Sequence, residues 1–310
     1  MNSNVNGNMN GNNKIYKEEG LKNLTKYIPV TLVTIFWGLS FVATKFVVRL
    51  FSPFPAALYR FIIALILLLP FTNKKKLLRN ILDINAAMTG FWGITMYFVF
   101  ENTALIYTSP TNAAVIVSSA PILYILFTHV FHKRKTNLFQ YLGSIIAFFG
   151  VALAIVNGRI LKLNPLGDIL AFGSAFSWVL YTHYVLKIKN SEGIDQVFSI
   201  TFWGVVTLVP FSLFQDMRLF FEWKSFIGLL YLGIICSSVG YFLWNKSIIL
   251  IGDRRTTNTI YFIPLVTIFS ENLLMKTPIT LYGLLGVLAL IIGLYIFERG
   301  EDYGKKRFRN

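Results

Sequence analysis

Leu138-Phe-Gln-Tyr-Leu-Gly-Ser-Ile-Ile-Ala-Phe-Phe-Gly-Val-Ala-Leu-Ala-Ile-Val-Asn157 carries no formal charge, and its glycines stand at 143 and 150. A helix of that length spans the roughly 30 Å hydrocarbon core of a bilayer. Leu281-Tyr-Gly-Leu-Leu-Gly-Val-Leu-Ala-Leu-Ile-Ile-Gly-Leu-Tyr-Ile-Phe297 repeats the pattern, with Gly286 and Gly293 each 143 positions further on. The same shift carries Asn102 onto Asn245, Ile106 onto Ile249, Pro121 onto Pro264, Ile125 onto Ile268 and Lys133 onto Lys276 without a gap. Apolar composition alone supplies some of these matches, but it does not readily align both prolines and both glycine pairs in one register.

Working outward, apolar runs mark ten candidate membrane segments: 27–48, 54–71, 86–107, 112–131, 138–157, 166–186, 197–214, 225–250, 256–274 and 279–298. Five fall in each repeat, 27–157 and 166–298. An odd number of crossings forces the two halves to insert with opposite orientation, so the expected fold is all-α and integral to the membrane, with ten transmembrane helices in two inverted five-helix repeats. That plan is common among secondary carriers, whose solute binds near the midplane between the repeats.

Composition agrees. Of 310 residues, 55% are hydrophobic and 14% charged, and the mean hydropathy is +0.59; an ordinary soluble domain has roughly 45–50% apolar and about 25% charged residues. The net charge of +15 follows the loops. With the N-terminus inside, twenty Lys and Arg fall on the cytoplasmic side, including Lys74, Lys75, Lys76, Arg79 and Lys133 to Lys135, against seven on the other. This bias accounts for the charge without nucleic acid and predicts two cytoplasmic termini in a multi-pass plasma-membrane protein. The Asn-rich residues 1–26 read as a disordered cytoplasmic tail with no cleavable signal, and 299–310 as a basic cytoplasmic tail.

Several activities have no support in the residues. The longest polar intervals, 72–85 and 215–224, are too short for a nucleotide-binding module, and there is no phosphate-binding Gly-x-x-x-x-Gly-Lys-Ser/Thr loop. One cysteine, Cys236, and three histidines give no metal cluster and suggest no cofactor. An intramembrane enzyme would need a nucleophile with its base, or a metal set, and none of those motifs is present. A passive channel would favour rings of polar side chains over two inverted halves.

Glu101 lies well inside its segment, where a carboxylate costs roughly 2.5–3.5 kcal/mol and calls for a partner, a proton or water. Arg60 is the candidate partner. The pair reads either as a structural ion pair or as a site that exchanges a proton or holds a substrate amine. Aromatic residues at helical spacing suggest the rest of a solute site: Trp37, Phe41, Tyr97, Trp178, Tyr181, Tyr241, Trp244 and Tyr261. Walls of that kind around one carboxylate suit an amphipathic or cationic organic solute through cation–π contact. Pro121 and Pro264 remove the donors for the carbonyls of Val117 and Ile260, predicting kinks that are either static or points of flexing. The Gly143/Gly150 and Gly286/Gly293 pairs and the Ser237, Ser238 and Gly240 cluster predict close helix packing.

The run Trp37-Gly-Leu-Ser-Phe-Val-Ala-Thr-Lys45, followed by Arg60-Phe61, resembles the opening of EamA-type members of the drug/metabolite transporter superfamily. Ala104-Leu-Ile-Tyr-Thr-Ser-Pro-Thr-Asn-Ala-Ala114, with Pro121 seven residues on, resembles the family's junction between helices three and four. Trp178 and Tyr181 resemble the start of its second repeat. Many members carry an acidic residue after helices four and nine; this sequence has Lys133-Arg134 and Lys276-Thr277 there. The resemblance covers about residues 30–298 and implies ten helices, cytoplasmic termini and export or exchange of small metabolites.

Overall fold

The computed structural model describes residues 25–48, 50–108, 110–156, 164–218, 222–275 and 280–307; among them the regular structure is helical, with no strand. Chains this apolar satisfy backbone N–H and C=O groups within each segment, which selects helices. The first half comprises α1 (Ile28–Val47), α2 (Pro53–Leu68), α3 (Leu77–Ile81), α4 (Ile84–Gly90), a π-helical turn (Phe91–Met96), α5 (Tyr97–Tyr107), α6 (Pro110–Val117), α7 (Ala120–Phe131) and α8 (Leu138–Val156). The second comprises α9 (Pro165–Val185), α10 (Gly193–Ser212), α11 (Trp223–Leu230), a longer π-helical turn (Tyr231–Val239), α12 (Gly240–Ile251), α13 (Asp253–Asn258), a 3-10 turn (Thr259–Phe262), α14 (Ile263–Met275) and α15 (Leu281–Arg307). Among the described residues, four stretches are helices long and apolar enough to cross a membrane: Pro53–Phe71, Gly193–Ser212, Trp223–Ile251 and Leu281–Glu301.

Helix starts follow local chemistry. Asn164 accepts a hydrogen bond from the Gly167 N–H and Pro165 occupies the first turn of α9, while Asp83 accepts from the Asn85 N–H at the start of α4.

Several expected continuous segments are interrupted, 225–250 by the longer π turn. The 86–107 segment starts at Ile84 and passes through the first π turn; 112–131 breaks at Ser118 and Ser119; 256–274 is interrupted by the 3-10 turn. The last two breaks have one cause. Pro121 and Pro264 lack the N–H that would bond the fourth residue back and crowd its carbonyl, and α6 ends at that residue, Val117, while Ile260 lies in the 3-10 turn. The last helix runs to Arg307 rather than ending near 298.

The halves interlock. α1 packs on α11, the second π turn, α12 and α14, whereas α9 packs on α4, the first π turn, α5, α6 and α7. α8 and α15 meet backbone to backbone: a Cβ on Gly143 would lie 2.6 Å from the Gly293 carbonyl oxygen, and one on Gly286 would lie 2.6 Å from that of Gly150. Gly143 thus opposes Gly293 and Gly150 opposes Gly286, so the two helices are antiparallel. The small-residue pairs read from the sequence let them approach closely. The largest core cluster runs between the halves, through Phe61, Phe98, Trp178, Tyr181, Tyr241 and Trp244.

Candidate functional site

A cavity of about 230 Å³ opens between the halves, lined by Trp37, Ser40 and Thr44 of α1, Arg60 of α2, Tyr97, Phe98 and Glu101 of α5, Trp178 of α9, Tyr241 of α12, and Ile260, Ile263 and Pro264. It extends toward the C-terminal ends of α1 and α5, where Val48 and Leu105 line it.

Its geometry rests on the two π turns. A π turn shifts the hydrogen-bond register and frees backbone groups inside a helix. The Tyr241 hydroxyl donates to the Gly93 carbonyl at 3.0 Å, and the Trp37 indole N–H donates to the Cys236 carbonyl, also at 3.0 Å. Gly93 and Cys236 are 143 positions apart, so equivalent carbonyls each receive an aromatic donor from the opposite half. The Tyr231 hydroxyl adds a 2.9 Å bond to the Phe36 carbonyl. The rings then pack edge to face: Trp37 on Trp178 with centroids 5.2 Å apart, Trp37 on Tyr241 at 5.7 Å, and Tyr97 on Trp178 at 5.5 Å.

Glu101 is 9% exposed, and Oε1 accepts from the Tyr97 hydroxyl at 3.1 Å. Arg60, 6% exposed, donates through Nε to Ser237 Oγ at 2.8 Å, with its guanidinium 4.8 Å from the Phe98 ring centroid and 5.3 Å from that of Phe61. The direct ion pair anticipated between Arg60 and Glu101 is not formed: no carboxylate among the described residues lies within 4.0 Å of Arg60. Polar and cation–π contacts hold the arginine instead. Glu101 and Arg60 are therefore two separate polar elements of a cavity whose remaining lining is aromatic, aliphatic and hydroxyl-bearing.

Among the residues anticipated from sequence, Trp37, Tyr97, Glu101, Arg60, Trp178, Tyr241 and Pro264 line the cavity. Trp244 is fully buried behind Trp37, with centroids 5.1 Å apart. Tyr181 stacks on Trp178 at 4.6 Å and donates to Asn245. Tyr261 belongs to another cluster, where its hydroxyl donates to the Ser144 carbonyl at 3.1 Å. Pro121 is buried beside the cavity-lining Ala120. The side chain of Phe41 lies outside the described residues. Sequence reasoning missed Ser40, Thr44, Phe98 and Ser118 as lining residues, and it gave Ser237 only a packing role. Ser40 and Thr44, one helical turn apart and at three and seven residues from Trp37, were the available signal.

On the side of the basic loops, Asp253 joins the halves. Its Oδ2 accepts from the Arg134 guanidinium at 2.6 Å and from the Tyr124 hydroxyl at 2.5 Å. Arg254 donates to Thr136 Oγ1 at 2.9 Å and Thr128 Oγ1 at 3.2 Å, and Glu301 lies 3.8 Å from both arginines. Burial alone would raise the Asp253 pKa, but the hydrogen bonds and charge of Arg134, with the Tyr124 hydroxyl, outweigh it and hold the carboxyl below its ordinary value.

The sequence profile of the EamA-like transporter family matches residues 25–156 and 165–298. An uncharacterized transporter of Archaeoglobus fulgidus is 29% identical over 286 residues, covering 89% of this chain and 99% of its own. A probable amino-acid metabolite efflux pump of Escherichia coli K12 is 26% identical, covering 88% and 95%. A chain of known crystal structure superposes with a TM-score of 0.71 at 13% identity, over 88% of this chain and 97% of that one, and so shares the fold.

Proposed function

The chain belongs to the EamA-like transporter family, and on that premise we propose that it is a secondary carrier that moves a small organic solute out of the cell by alternating access. In this reading residues 27–157 and 166–298 are two inverted five-helix halves making ten crossings of the plasma membrane. The basic loops and both tails, 1–26 and 299–310, face the cytoplasm. The positive bias of the loops supports the orientation. The inversion is supported by the antiparallel packing of α8 on α15 and by the exchanged aromatic bonds to Gly93 and Cys236.

The observation that carries the reading is the cavity between the halves, with Glu101 and Arg60 separately placed on an aromatic wall. A solute seated there contacts both halves, so rocking one against the other carries it between faces. Aromatic faces suit an amphipathic or cationic molecule. The name of the Escherichia coli relative makes amino-acid metabolites the first class to test. Glu101 serves as the coupling group by taking up and releasing a proton as the cavity changes sides.

The test is counterflow with purified protein in liposomes, using hits from a thermal-shift screen of amino acids, their metabolites and organic cations. Saturable trans-stimulated exchange is expected. Flux that rises linearly with concentration and shows no trans-stimulation would contradict a carrier. Trans-stimulated uptake with no outward transport would leave an importer or exchanger of a cationic metabolite.

A further inference from the structure

A second cavity, about 510 Å³, lies on the side of the basic loops. Its walls come from the loops after α2 and α9 and from α10 and α12, and carry both charges: Lys76 and Lys189, Glu192 and Asp195. Ser191 and Asn245 line it too.

This cavity and the central one share two helix faces. Along α9, Trp178 lines the central cavity, Tyr181 comes one turn later, and Val185 lines the second. Along α12, Tyr241 lines the central cavity, Asn245 comes one turn later, and Ile248 and Ile249 line the second. Residues three and four apart share a helix face, so two walls run on from one cavity to the other. Between them stands one layer, closed where the Tyr181 hydroxyl donates to Asn245 Oδ1 at 2.6 Å, with Tyr181 stacked on Trp178.

Hydrogen-bonding capacity goes unused in and around this layer. The Trp178 and Trp244 indole N–H groups and Asn245 Nδ2 are buried without partners, as is Ser191 Oγ in the second cavity; Asn245 itself is 4% exposed. Buried polar groups are nearly always hydrogen-bonded, so four orphans in and beside this layer call for a ligand, water or a passing polar group. Asn102, 143 positions earlier, makes the contrast: its Nδ2 donates to the Pro53 carbonyl at 2.8 Å.

We infer that the second cavity is the cytoplasmic vestibule of the central one, that the Tyr181–Asn245 hydrogen bond is the door between them, and that the unused donors of the layer hold the solute's polar atoms as it passes. This rests on the carrier reading above and adds the route and its closing residues.

The test needs no substrate. In the full-length chain with Cys236→Ala, Ser40→Cys places a thiol on the central cavity wall. Its reaction with the impermeant cation MTSET is timed in right-side-out and inside-out membrane vesicles. With the door intact, labelling from the cytoplasmic face should be slow. Asn245→Ala, and independently the conservative Tyr181→Phe, should speed it about tenfold, equivalent to ~1.4 kcal/mol, while the rate from the opposite face stays within twofold. Cytoplasmic rates within twofold of the parent in both variants would overturn the door, as would fast cytoplasmic labelling of the parent. Absence of labelling from the opposite face, in protein that labels fully once denatured, would instead sink the carrier reading itself.

Discussion

Arg60 and Glu101 line one cavity without touching: the arginine is anchored on Ser237 and the Phe98 ring, the carboxyl on the Tyr97 hydroxyl. Breaking a buried ion pair costs about 3–5 kcal/mol, whereas losing one hydrogen bond costs roughly 0.5–1.5 kcal/mol. Glu101→Gln should therefore leave the melting temperature of detergent-purified protein within a few degrees of the parent. Combining it with Arg60→Gln should lower stability further rather than rescue it. A large loss in Glu101→Gln, restored in the double variant, would show that the two groups act as a pair.

Arg60 depends on Ser237 in a second way that can be measured. Ser237→Ala removes the hydroxyl that accepts from Nε and should cost about 1–3 kcal/mol by leaving a buried donor unpaired. Ser238→Ala, one position away, is the control. Equal melting temperatures for the two variants would contradict the anchor.

The contact of α8 with α15 has no room for a side chain at its glycines. Gly150→Val and Gly293→Val should each destabilise by about 1–3 kcal/mol or more through overpacking, read as a drop in melting temperature or loss of folded protein on size exclusion. Gly252, with open space around it but φ of +91°, should tolerate alanine poorly for the separate reason of backbone strain. Unchanged melting of Gly293→Val would contradict the close approach.

Asp253 predicts a pH dependence. Its carboxyl is held below the ordinary value, so its contribution is fully present above the unfolded-state pKa of about 3.9 and is lost as pH falls through the lower folded-state value. Asp253→Asn should lower the melting temperature at pH 7, and the gap to the parent should shrink as the pH is taken below about 4. A gap that stays constant down to pH 3 would contradict the Arg134 contact as its source.

Orientation is tested with Cys236→Ala and single cysteines at Lys75 and Met217. An impermeant maleimide on intact cells should label the cysteine at 217 and spare that at 75. The reverse pattern would overturn the cytoplasmic placement of the basic loops.

Much of this organisation was legible from residues alone, for identifiable reasons. Long apolar runs locate helices because the hydrocarbon core demands length, and Pro121, Pro264 and the four glycines locate the repeat because few residues break or thin a helix. Both prolines also mark the end of α6 and the place of the 3-10 turn. The π turns at Phe91–Met96 and Tyr231–Val239 left no such mark: they carry no proline, and the shifted register accompanies donors from Trp37 and Tyr241, distant in sequence. Aromatic spacing found the wall but could not say which helix face turns inward, so Tyr261 was grouped with Tyr241 although it packs against α8. Ser237 was unreadable as the partner of Arg60 because 177 positions separate them and only the packing of α2 on the second π turn brings them together.

The central claim is that Glu101 couples solute movement to protons within the cavity between the halves. The direct measurement is accumulation of a thermal-shift hit into proteoliposomes under an imposed pH gradient, for the parent and for Glu101→Gln, with counterflow at equal pH as the control for a working site. The account predicts that the parent concentrates the solute above its external level and that Glu101→Gln exchanges it but only equilibrates it. Concentration by Glu101→Gln to the parent's level, with the same dependence on the gradient, would contradict it.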